Sequence, residues 1–267
     1  MNKITPIVNQ ILAIAEKDLR LESRFIIPFL SHLFFSPLKT AVWFLVVYYG
    51  FFTAGSAGVG SFNSGNYFLF VMIGSLFQLL FTIALTDFPS KFFYEKFWQT
   101  IQGFLVAPIN SMKLVLGLGF SQLVMASFAI LVLILIAFFI SPIPFINLVI
   151  IVSILIMLFL GLMFIGLIRA GLVLVSENLN GVFDYFVLGW GFISCFYYPI
   201  ESFPRFIRPI IFYNPIYQAV TLVRNLWENQ PVSSLSLVYV LSLSLVAILL
   251  GAFLFKYLIK NYEIEGY

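Results

Sequence analysis

Charge is what this sequence has least of, since only 9% of its 267 residues are Asp, Glu, Lys or Arg, against about a quarter in soluble domains. Hydrophobic residues make up 62%. A chain of this composition is typical of proteins surrounded by lipid, so we expect a membrane protein. The net charge of +3 is small and the basic residues form no stripe, which argues against binding to nucleic acid.

Side chains that carry chemistry are equally scarce. His32 is the only histidine and Cys195 the only cysteine, so the sequence offers no cluster of metal ligands and no disulfide within the chain. The GxxxxGK[ST] loop that cradles nucleotide phosphates is also missing. We therefore expect neither a catalytic site nor a metal site, and no cofactor bound by this chain.

Charge-poor stretches of bilayer-spanning length predict an all-α membrane protein with six transmembrane helices. The Gly- and Ser-rich residues 53–66 and the prolines of residues 141–144 divide the longest stretches into separate spans. In the last span, Ala247 and Gly251 make a small patch where another helix could approach. The predicted spans are residues 26–52, 67–86, 114–138, 145–168, 182–199 and 235–256, within one transmembrane domain, 1–267.

Lys and Arg fall mostly on one side of these spans, which places both termini in the cytoplasm by the positive-inside rule. The outside then holds only Arg205, Arg208 and Arg224 among the basic residues. Lys39 lies within the first predicted span. It either faces a conduit, where it would meet an anionic substrate, or extends its ammonium group to the cytoplasmic interface.

Residues 1–24 predict an amphipathic helix on the cytoplasmic membrane surface. Thr5 followed by Pro6 is a typical helix start, and apolar residues then repeat along one face. Asp18 and Glu22 fall within that apolar face, one turn apart. Either they lie at a frayed or snorkelling helix end, or they meet a basic partner.

Two connections between the predicted spans also carry a pattern. Residues 87–113 mix charges with aromatic side chains, which favours either the membrane interface or a docking surface for another protein. Residues 199–234 are apolar but broken by prolines, so we expect re-entrant helices in the outer leaflet between spans five and six. The residues that we expect to shape this re-entrant segment are Pro199, Pro204, Asn214, Pro215 and Arg224.

Two motifs resemble those of the permease subunit of type 2 ABC exporters. After its second span that family has a motif like E-R-E-x-G-T-L-E, and residues 95–102 here read Glu-Lys-Phe-Trp-Gln-Thr-Ile-Gln, with Pro108 and Gly117 following. The family also has F-P-x-x-x-L-P before N-P-L/I, and residues 198–204 here read Y-P-I-E-S-F-P before N-P-I at residues 214–216. The likeness covers nearly the whole chain.

The resemblance implies outward transport of a polysaccharide, a lipid-linked glycan or a drug, through a conduit shared with a second copy of the chain in a prokaryotic plasma membrane. ATP and Mg would be bound by a separate ABC ATPase subunit, docked on a cytoplasmic coupling helix between spans two and three and on the N-terminal helix. The family's glycine and second glutamate are replaced by glutamines, which leaves Glu95 as the better coupling candidate. The residues implied to couple to the ATPase are Glu95, Lys96, Trp98, Thr100, Gln102, Glu16 and Arg20.

An ion-coupled secondary transporter is the alternative. Such a carrier usually needs carboxylates near the middle of the membrane, whereas Asp87, Glu177 and Asp184 fall close to the ends of predicted spans. The sequence therefore favours the ABC interpretation.

Overall fold

A computed structural model of the chain describes residues 4–24, 66–97, 111–175 and 179–261, together with isolated positions between residues 26 and 50. Within these ranges every regular element is helical. Four helices there are long and apolar enough to cross a membrane: Tyr67–Tyr94, Lys113–Ile140, Phe145–Leu172 and Ser234–Tyr257. An all-helical protein with several apolar helices of spanning length agrees with the predicted class.

The described ranges contain nine α-helices. A π-helical segment, Ile83–Asp87, joins the second and third of them without a break, and a 3-10 turn, Ile200–Ser202, follows the sixth. The α-helices are α1 (Ile4–Ser23), α2 (Tyr67–Thr82), α3 (Phe88–Phe97), α4 (Ser111–Ile140), α5 (Phe145–Val175), α6 (Leu179–Phe192), α7 (Arg208–Phe212), α8 (Pro215–Trp227) and α9 (Ser234–Asn261).

Three of the predicted spans, corresponding to α4, α5 and α9, are matched by helices that extend a few residues beyond the predicted ends. At the predicted second span, 67–86, the helix continues beyond residue 86 through the π-helical segment to Phe97. The first predicted span, 26–52, lies outside the described residues apart from isolated positions, and Lys39 lies outside them altogether.

The predicted fifth span, residues 182–199, also differs from the structure. Its helix, α6, starts earlier and ends at Phe192, after which the chain turns. Fourteen residues rise only about 21 Å, less than the roughly 30 Å of a bilayer core. Carbonyls at and just past this end accept from side chains: the Tyr198 hydroxyl donates to Phe192 O, and Asn214 Nδ2 donates to Ile193 O at 3.2 Å.

Helices α5 and α9 run in the same direction, side by side. Gly161 of α5 packs on Ser244, and Gly251 of α9 packs so closely on Phe164 that a Cβ atom there would lie 2.4 Å from the Phe164 carbonyl oxygen. The predicted close approach of another helix at Gly251 is thus confirmed. Because both helices run the same way, the chain between them has to return from the end of α5 to the start of α9.

Helix α2 lies at the centre of the core. Phe77 and Phe81 are among the largest fully buried side chains, and Ile73 contacts a small cavity that Leu155 of α5 also lines. Further along, the Ala84 carbonyl meets Gly166, so α2 and α5 are parallel as well. Helix α4 runs opposite to them because a tight turn with two prolines joins it to α5.

Candidate functional site

The start of α4 holds α1 in close contact. A Cβ atom at Gly117 would lie 2.7 Å from Ile14 Cβ and 3.0 Å from Ile11 O, so only glycine allows this approach. At the same place Lys113 Nζ donates to Gln10 Oε1 at 2.6 Å. The N-terminal helix therefore packs on α4 through its apolar face.

A charge cluster ties α1 to α3 as well, and consists of Asp18, Glu22, Lys91 and Ser121. Asp18 is only 5% exposed and accepts hydrogen bonds from Ser121 Oγ at 2.6 Å and from Lys91 Nζ at 3.4 Å. Lys91 also forms an ion pair with Glu22. Of the two alternatives for Asp18 and Glu22, the structure confirms that they meet a basic partner. Such a partner compensates for the cost of burying a carboxylate.

The charge cluster brings the N-terminal helix next to the segment that carries the first family-like motif. Lys91 precedes Glu95 by four residues, one helical turn along α3. The backbones of Glu95 and Lys96 belong to α3, but their side chains lie outside the described part of the chain. Also outside the described residues are Trp98, Thr100, Gln102 and Pro108.

The other two predicted coupling residues lie on the opposite face of α1. Glu16 and Arg20 form an ion pair with each other, one turn apart, and both side chains are exposed. An exposed i, i+4 pair contributes little to stability, roughly 0.3–0.5 kcal/mol. Both side chains are therefore accessible to a partner without a large loss of stability.

At the other end of the helices, Asn214 joins α8 to the turn after α6. Its Oδ1 accepts from Ile216 N at 3.1 Å, which caps α8, and from Trp190 Nε1 at 3.2 Å. Its Nδ2 donates to Ser194 Oγ at 3.0 Å as well as to Ile193 O. Pro215 then occupies the first position of the helix, where its missing N–H costs nothing.

Arg224 is buried beside that turn, although the sequence pattern treats it as one of the outside charges. Its guanidinium donates to the carbonyls of Phe196 at 2.7 Å, Phe70 at 3.2 Å and Cys195 at 3.4 Å. It also stacks 3.3 Å from the centroid of the Phe70 ring. Through these contacts Arg224 stabilises the turn after α6, and its charge is not solvated at the surface.

The other two prolines named for the predicted re-entrant segment lie outside the helices. Pro199 precedes the 3-10 turn, and Pro204 lies in the turn before α7. Arg208 closes this part of the chain by donating to Phe203 O at 2.9 Å and to Glu201 O at 2.7 Å.

A second buried arginine, Arg169, was not among the residues that the sequence patterns predicted for a site. Arg169 is 4% exposed and donates from Nη1 to Leu85 O at 2.7 Å. Its Nη2 donates to Asn180 Oδ1 and to Asp184 Oδ1, both at 2.6 Å. One signal was available in the sequence, since Arg169 interrupts an apolar run that continues to Val175. Its partners could not have been found, because they belong to two other helical segments.

Comparisons with protein-family models and with curated protein sequences find no match for this chain. Among the residues that the structure describes, no group of three His, Cys, Asp or Glu side chains could hold a metal ion. What the fold and these sites define is a helical membrane protein with buried charge networks near its helix ends.

Proposed function

We propose that this chain is the transmembrane subunit of an ABC exporter, which works with a second copy of itself and takes its energy from a separate ATPase. One observation carries the proposal. The charge cluster brings α1 beside α3, and these are the two segments that the family resemblance implies for docking on the ATPase. Nothing in the sequence pattern alone required these two segments to meet.

The contacts of α1 suit a coupling role. Its inner face is fixed by Gly117, by the Lys113–Gln10 hydrogen bond and by the ion pairs of Lys91, whereas Glu16 and Arg20 point outward. A force applied to the exposed face would reach α3 and α4 directly, because the contacts between them are close-packed. We call this exposed face of α1, together with α3, the coupling surface.

The directions of the helices support the six-span arrangement within this proposal. Helices α2, α5 and α9 run one way and α4 runs the other, so α6 and the segment after it make the return. The first span, residues 26–52, then completes a topology with both termini in the cytoplasm of a prokaryotic cell. In this arrangement α7 and α8 form the re-entrant segment in the outer leaflet.

The proposed cargo is an amphipathic molecule of the family's kind, a polysaccharide, a lipid-linked glycan or a drug. ATP and Mg would be bound by the partner subunit. Lys39 stays a candidate for contact with an anionic group of the cargo. Replacing Lys39 by Met should then reduce transport of an anionic cargo in reconstituted vesicles.

Charge reversal at Glu95 tests the proposal. The tagged chain is purified from its native membrane with the ATPase that accompanies it, and ATP hydrolysis and transport are measured in the same vesicles. We expect Glu95→Lys to insert normally and to uncouple hydrolysis from transport, because the carboxylate at the coupling surface becomes a cation. Glu228→Lys is the matched control, since Glu228 is exposed next to the C-terminal end of α8, far from α3 in the sequence.

Two results would contradict the proposal. One is a Glu95→Lys variant whose hydrolysis and transport rates both equal those of the unchanged chain. The other is uphill transport by the chain alone in ATPase-free vesicles under an ion gradient, which would favour the ion-coupled carrier.

A further inference from the structure

The helix formed by α2 and α3 contains a π-helical segment, Ile83–Asp87, where the Phe88 amide bonds back to Ile83 O. A π-helical turn is wider than an α-helical turn, and such turns recur at functional sites. Pro89, four residues after Leu85, has no N–H, so the Leu85 carbonyl lacks its usual helical donor and needs another partner. The carbonyls of Ala84 and Leu85 both face α5.

Helix α5 fits these two carbonyls with two residues on one of its faces. Gly166 lies against Ala84, where a Cβ atom would be 2.2 Å from the carbonyl oxygen. Three residues later, Arg169 donates to Leu85 O at 2.7 Å. Residues three apart share a helix face, so α5 presents a flat surface and a donor to the π-helical segment.

The guanidinium of Arg169 is held from its other side by α6. Asp184 and Asn180, one turn apart on α6, each accept from Nη2 at 2.6 Å. The Asp184 side chain is 54% exposed, while the Arg169 side chain is 5% exposed. One buried cation therefore connects three helical segments, and its only ion-pair partner among the described residues is half in solvent.

We propose that Arg169 is a positioning residue that holds the segment Ile83–Asp87 in its π-helical form, and that Asp184 keeps Arg169 in place. Helix α3 cannot swing about this segment unless Leu85 O gives up its donor. Movement of α3 is thereby linked to the position of α6. The inference rests on the proposed function in one respect only. It takes from that function the ATPase, whose action at the coupling surface moves α3.

Hydrogen exchange of the full chain in lipid nanodiscs, without any ATPase, tests the local part. We expect Asp184→Asn to speed amide exchange of residues 83–88 by about tenfold or more, because local opening of this segment becomes easier. The double variant Arg169→Glu with Asp184→Arg restores an ion pair between α5 and α6, but its residue 169 cannot donate to Leu85 O. Exchange should therefore stay fast in the double variant.

If residues 83–88 of the double variant exchange as slowly as in the unchanged chain, the proposal is overturned. The ion pair would then only hold α5 and α6 together. Gly166→Ala gives an independent check, as its methyl group must push the π-helical segment away. Gly189→Ala is the matched control, because nothing lies within 4 Å of a Cβ atom there. Equal exchange of residues 83–88 in the two alanine variants would also overturn the proposal.

The coupling part is tested by the ratio of cargo moved to ATP hydrolysed in the complex with the ATPase. We expect the ratio to fall about tenfold in Asp184→Asn, in line with the loosened segment. An unchanged ratio overturns the coupling role of Arg169. If Glu95→Lys leaves coupling intact, the proposed function fails, yet the exchange experiment still decides the role of Arg169 in the fold.

Discussion

Lys91 forms ion pairs with both carboxylates of the charge cluster, and its replacement gives the sharpest prediction. Lys91→Met keeps the aliphatic stem but leaves the buried Asp18 with Ser121 as its donor, and leaves Glu22, 30% exposed, without its ion-pair partner. Removing one partner of a buried pair costs about 3–5 kcal/mol. Because Lys91 is 17% exposed and Glu22 more so, we expect about 2–3 kcal/mol of lost docking energy.

The loss of docking energy should be smaller when Glu22 is replaced than when Lys91 is replaced. Glu22→Gln removes only the more exposed partner and leaves the Lys91–Asp18 pair, so we expect about 0.5–1 kcal/mol. A change of 1.4 kcal/mol is a factor of ten in an equilibrium constant. The undocked fraction of α1 should thus rise roughly 30- to 150-fold in Lys91→Met and about 2- to 5-fold in Glu22→Gln.

Cysteine labelling measures this undocked fraction. Ala15 is 2% exposed, so Ala15→Cys reacts with a water-soluble maleimide only when α1 leaves α4. Ala13→Cys, on the exposed side of the same helix, gives the unprotected rate. The native Cys195 is fully buried and contributes little background. Equal labelling of Ala15→Cys with and without Lys91→Met would refute the reasoning, as would a Glu22→Gln effect as large as that of Lys91→Met.

Two further predictions concern the other end of the helices. Gly74→Ala places a Cβ atom 1.7 Å from Phe196 O, so it should lower the thermal unfolding midpoint in detergent by an amount that corresponds to about 1–3 kcal/mol, whereas Gly189→Ala should not. Asn214→Ala removes the cap of α8 and the acceptor of Trp190 Nε1, and should cost about 2 kcal/mol in the same assay. An unchanged midpoint in either variant would contradict the packing described here.

Several features of the fold could be predicted because their causes are local in the chain. A bilayer leaves no water for backbone groups, so long apolar stretches have to be helical. The turn between α4 and α5 follows from Pro142 and Pro144, and the start of α8 from Asn214 and Pro215, since these residues act through their own backbone geometry.

What only the tertiary structure decided involves contacts between distant residues. The apolar face of α1 placed Asp18 correctly, but its partner Lys91 is 73 residues away and no periodicity points to it. Likewise Asn214 donates to the Ile193 carbonyl just past the end of α6, and these two residues are 21 positions apart in the chain.

The π-helical segment shows the same division. Pro89 follows this segment and has no N–H to donate to Leu85 O, so the sequence by itself determined that the regular helical hydrogen bonding is interrupted here. Only the packed structure shows how the segment is accommodated, since Gly166 approaches Ala84 O and Arg169 donates to Leu85 O. These partners belong to a later helix, and for that physical reason no local pattern in residues 83–87 points to them.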